Sequence, residues 1–91
     1  MTIPVHRHSD SRTCGASNIV VGQSTVFANR RLISVDKDPD SHGAGNLNAK
    51  CNNVFINSKM VVNIGDSANP DQAPHPNPAA GSGSPNVFVG D

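Results

Sequence analysis

The chain has 91 residues, 35% of them hydrophobic, with three Phe and neither Trp nor Tyr, which is enough for one small domain with a thin core. Seven basic residues balance seven acidic ones with no run of either sign, so the positive footprint of a nucleic-acid binder is missing. No stretch approaches the roughly 18 apolar residues of a membrane span, and the N-terminus lacks the apolar core of a signal peptide, so neither stable membrane insertion nor classical export is expected.

In chain order, residues 3–7 read as extended, with Pro4 tolerated near a strand start. Alternation places Val5 and Arg7 on one face and His6 and His8 on the other. Ser9-Asp10-Ser11 reads as a turn. The runs 18–21, 24–29, 32–35, 54–57 and 60–64 are rich in β-branched residues and bounded by turn formers, which predicts short strands. Residues 36–41 and 43–46 have turn composition. Residues 67–85 hold five of the seven Pro residues and read as an ordered, rigid loop. No segment carries a 3.6-residue apolar period, so helix is not expected.

The strands belong to a repeat. The stretch from Asn53 to Asp66 has a copy upstream, in which Val26, Phe27, Asn29 and Asp38 stand 28 positions before Val54, Phe55, Asn57 and Asp66. Asn86-Val87-Phe88-Val89 repeats its opening 33 positions downstream. By the same register the N-terminal residues are a closing half and the C-terminal residues an opening half of one unit. An all-β domain spanning 1–91 is therefore expected, a small conical domain of three strand pairs about a pseudo-threefold axis. The third pair is closed by the chain ends, with residues 5–7 beside 87–89. Phe27, Phe55 and Phe88 are equivalent under the repeat and can face either core or partner.

The register also locates chemistry. Twelve positions before Val26, Val54 and Val87 stand Cys14, His42 and His75, all metal-ligand types, in a chain with four His and two Cys. A structural zinc takes four Cys or His in a tetrahedron, and His8 is the expected fourth ligand, with His6 as the alternative. Cys14 would bind as thiolate and the His residues as neutral imidazoles. Zinc suits such a set better than iron. Cys51 has no ligand-type equivalent and reads as a small, partly buried residue. Because a thin core needs support and Cys14 and Cys51 are the only possible disulfide, a metal or a partner is the stronger expectation. An alternative places water at an open fourth position, as in a zinc hydrolase. The chain has no Glu to serve as base.

Thr13-Cys14-Gly15-Ala16, Ser41-His42-Gly43, Asn53-Val54-Phe55-Ile56-Asn57 with Ile64-Gly65-Asp66, and the ending from Gly83 to Gly90 together resemble the PAAR-repeat proteins, the conical tips of contractile injection machines. The positions that give that family its name are here Met60-Val61-Val62-Asn63, apolar at three of the four. The resemblance implies a pointed β structure with a metal near its apex, usually held by three His and one Cys, a count met by His8, Cys14, His42 and His75. It also implies a base that caps a trimeric β-helix spike protein, one tip per trimer, in a non-enzymatic role. The expected location is the tip of a phage tail, or the cytoplasm before ejection by a type VI secretion system, and the short length favours the phage-tail members. A free-standing metal-binding module that recruits another protein is the remaining reading.

Overall fold

The computed structural model describes residues 3–71 and 77–89, and these form an all-β domain of paired antiparallel strands with no helix among the described residues. Strand β1 is Ile3–Pro4, β2 Phe27–Ala28, β3 Arg31–Leu32, β4 Leu47–Asn48, β5 Phe55–Ile56, β6 Lys59–Met60, β7 Ser67–Ala68 and β8 Phe88–Val89. The hairpins β2–β3 and β5–β6 share one design, with Phe27 opposite Leu32 and Phe55 opposite Met60. Their two-residue turns hold both central residues at positive φ, 55° and 70° at Asn29-Arg30 and 53° and 66° at Asn57-Ser58. That geometry matches the right-handed twist of the flanking strands, and Asn tolerates the first position.

The chain ends pair with each other. β1 lies antiparallel to β8, Ile3 opposite Val89 and Pro4 opposite Phe88, and the Val5 amide donates to Val87 O at 3.1 Å. The expected alignment of residues 5–7 with 87–89 holds only at Val5. Arg7 instead bridges Ile33, because the backbone turns into the interior after Val5. A further pair, β4 with β7, was not expected: Leu47–Asn48 directly follows the 43–46 turn and falls in none of the predicted strands, and Ser67–Ala68 opens the stretch read as a loop. Short Ser, Ala and Asn side chains at these positions mask a strand from any periodicity argument.

Beyond the hairpins the backbone contacts recur at 28-residue spacing. The His6 amide donates to Val62 O, Val62 to Ser34 O and Ser34 to His6 O, at 2.9, 3.0 and 2.9 Å, closing a ring of three fully buried residues. Bridges Val5 to Asn63, Arg7 to Ile33 and Val35 to Val61 flank the ring. Three residues after Arg7, Val35 and Asn63 stand Asp10, Asp38 and Asp66, and each Asp accepts the amide of its partner on Oδ2. Neighbours on both sides bury Val5, His6 and Arg7 alike, so the expected alternation of faces does not hold.

The interior is as polar as it is apolar. Val5, Ala28, Ile33 and Val61 form one cluster, backed by Val54 and Ile56 at β5 and by Val87 and Val89 at β8, and Leu47, Val62, Ala68 and Ala80 form a second. Arg7, Asp10, Arg12, Asn18, Asp38, Asp40 and Asp66 are buried beside them. Phe27, Phe55 and Phe88 stay out of both clusters and are 56%, 54% and 47% exposed, which answers the core-or-surface question. No helix among the described residues is long and apolar enough to cross a membrane.

Candidate metal centre

Two loops of the same build carry the first ligands. In residues 12–16 the Arg12 amide donates to Ala16 O and Gly15, at φ 91°, donates to Arg12 O. In residues 40–44 the Asp40 amide donates to Ala44 O and Gly43, at φ 89°, donates to Asp40 O. The left-handed position before each Ala favours glycine, and a turn so tight projects the preceding side chain, Cys14 or His42, from its tip. The 12-position offset thus marks the same place in two copies of one loop.

The two side chains meet. Cys14 Sγ, His42 and the carboxylates of Asp40 and Asp71 each present a donor atom within 4.8 Å of the others. Asp71 Oδ2 lies 2.7 Å from His42 Nδ1 and 3.4 Å from Cys14 Sγ, and its side chain is fully buried. Asp40 Oδ1 accepts the His42 amide at 2.9 Å, whereas Asp40 Oδ2 has no hydrogen-bond partner although it is buried. Burial first, and then the neighbouring Asp71 carboxylate, push the Asp40 carboxyl up from its ordinary value. Burial also pushes the Cys14 thiol up, and Asp71 and Asp40 add to the effect. Negative groups gathered this closely without a full set of protons or cations repel one another.

The donor set fits a metal ion. Tetrahedral bonds of about 2.0–2.3 Å place ligand atoms roughly 3.3–3.8 Å apart, so closing on an ion takes only small shifts, the His42–Asp71 pair opening from 2.7 Å and the wider pairs drawing in from no more than 4.8 Å. A buried carboxylate oxygen without a partner is costly unless something positive reaches it.

Of the expected ligands, Cys14 and His42 are brought together, and His75 lies outside the described residues. His8 is not a member of the cluster. Its Nδ1 accepts the Val20 amide at 3.1 Å, which ties the ring to a different loop. His6, the alternative, is fully buried with Nδ1 2.6 Å from Ser82 O, and it too lies outside the cluster. Cys51 is buried with Sγ donating to Asn53 Oδ1, and it forms no disulfide with Cys14.

Sequence reasoning missed Asp40 and Asp71 because both sit among turn formers. The register held a signal for each. Asp40 is the 28-residue equivalent of Arg12 and opposite to it in charge. Asp71 stands four residues before His75, as Asp10 and Asp38 stand before Cys14 and His42.

Compared with protein-family models and with curated proteins, the sequence matches none.

Proposed function

We propose that this chain is a non-enzymatic tip protein of the PAAR-repeat type, which caps the trimeric β-helical spike of a contractile injection machine, one tip per trimer. The observation that carries the reading is the set of exposed phenylalanines. Phe27, Phe55 and Phe88 take the same place in three strand pairs that back onto one apolar cluster, and each is about half exposed. Large aromatic groups left in water at equivalent positions mark a contact surface. A contact offered three times suits a partner made of three identical chains.

The cluster of Cys14, Asp40, His42 and Asp71 supports a structural zinc, with iron the less suited metal, since thiolate, imidazole and carboxylate are all zinc ligands. Its role would be to cross-link loops that have little apolar core beneath them. A Cys nucleophile is disfavoured, because the Cys14 thiol is pushed up, the reverse of what activates a cysteine.

The test is to mix the purified chain with a trimeric β-helix spike and weigh the complex. One tip per three spike chains is expected. Replacing Phe27, Phe55 and Phe88 together by Glu should abolish capping without loss of zinc. Capping that survives this replacement but is lost in His42→Ala would reverse the orientation, and a spike that ignores the wild-type chain would end the reading.

A further inference from the structure

We propose that Arg12 is the positioning residue of the metal centre, holding the Asp40 carboxylate ready for a cation without taking the lone pairs that the cation needs. The proposal rests on the metal reading above and adds to it how the site is organised.

Arg12 is buried, and all five of its N–H donors are directed at other acceptors. Nη1 donates to Gly45 O and Pro78 O, both at 2.8 Å. Nη2 donates to Asn18 Oδ1 at 3.0 Å and Asp38 O at 3.1 Å, and Nε reaches Asn18 Oδ1 at 3.3 Å. Nothing is left for Asp40. Its Oδ2 nevertheless lies 3.6 Å from Arg12 Nη1, close enough for attraction and beyond a hydrogen bond. The charge of the guanidinium therefore acts on a carboxylate whose Oδ2 keeps its lone pairs.

Two further features fit this role. Gly45, whose carbonyl holds Arg12, has φ 72°, and a Cβ there would collide with Asp40 Oδ2, so the missing side chain leaves the space around that oxygen. Charge also balances. Among the described residues, one thiolate, two carboxylates and a neutral imidazole around a divalent ion carry a net charge of −1, and Arg12 brings the group to zero.

The experiment compares Arg12→Gln, Asp40→Asn and the double variant in the full chain, by competition titration with Zn2+ and by the absorption spectrum with Co2+. Arg12→Gln should weaken Zn2+ binding roughly 10- to 100-fold, as loss of a supporting partner does, and Asp40→Asn, which alters a ligand, at least as much. If Arg12 acts through Asp40, the double variant binds within about threefold of the weaker single one, because neighbours in one network are not additive. Both single variants should also move the Co2+ bands. Losses that multiply in the double variant, or unaltered Co2+ bands in Arg12→Gln, would overturn the proposal.

Should Arg12→Gln fail to fold, the wild-type chain supplies the second measurement. The 15N signal of the Arg12 side chain must shift when Zn2+ is added, and a signal that stays in place overturns the proposal. A wild-type chain that takes up neither Zn2+ nor Co2+ overturns the metal reading itself, an outcome distinct because no variant is needed to see it.

Discussion

His6 sits in the three-residue ring with its Nδ1 on Ser82 O and its Nε2 buried without a partner. Burial lowers its pKa from 6.5 to about 4; the Ser82 hydrogen bond and Asp10 oppose the change, whereas Arg12 and Arg7 add to it. The unfolded chain therefore takes up a proton first as the pH falls. The His6 contribution is fully present above pH 6.5, is lost between 6.5 and 4, and amounts to roughly 3 kcal/mol. Asp66, whose carboxyl burial pushes up, works in the opposite sense at the acid end, so the comparison with His6→Gln isolates the effect. Urea unfolding at pH 7 and pH 4.5 should show a steep loss of stability in the wild type and a flatter one in His6→Gln; equal slopes would refute the assignment. At this scale the sequence made Cys14 and His42 legible, because a fixed offset in a repeat is a spatial statement. It could not separate His6 from His8 and the ligands, since burial in the ring depends on neighbours 28 and 56 positions away. Asp71 was hidden for a related reason. The last interval is longer by five residues and contains two acids, of which Asp66 caps the Asn63 amide and Asp71 joins the cluster.

At the scale of elements, hairpins were readable and their lengths were not. Each Asn turn between β-branched runs announced a strand pair, but the strands stop after two residues because the ring and the Asp caps take over the backbone bonding. The turns are also where the sequence falls short of its own geometry. Arg30 and Ser58 hold φ of 70° and 66°, a region that costs a residue with a Cβ about 1 kcal/mol or more. Arg30→Gly and Ser58→Gly should each raise stability by roughly 0.5–1 kcal/mol, read as a higher melting temperature. Gly83 gives the reverse case. The Ser84 amide donates to Val5 O at 2.9 Å, and a Cβ on Gly83 would run into that same carbonyl. Gly83→Ala should cost about 2 kcal/mol or more and loosen the seam between the chain ends, because the obstacle is backbone and cannot swing aside. Hydrogen exchange at the Val5 and Ser84 amides would show it.

At the scale of the whole molecule, a chain with two small apolar clusters and an interior half polar depends on cross-links between distant segments. Arg7 joins Asp10, Asn29 and Gly83, and Arg12 joins loops carrying residues 18, 38, 45 and 78. A bound zinc would add one more cross-link, between residues 14, 40, 42 and 71, closing loops of up to 57 positions. A ligand that binds only the folded state stabilises it by about 4 kcal/mol when its free concentration is 1,000 times Kd. Chelation should therefore lower the wild-type melting temperature, and His42→Ala should start low and show no further response to the chelator. The loss should also be uneven. The ring amides of His6, Ser34 and Val62 do not touch the cluster and are held by backbone partners on all three sides, so they should remain the slowest to exchange after chelation, while those of residues 12–16 and 40–44 become fast. Ring amides that lose protection together with the loops would show instead that the metal holds the entire domain.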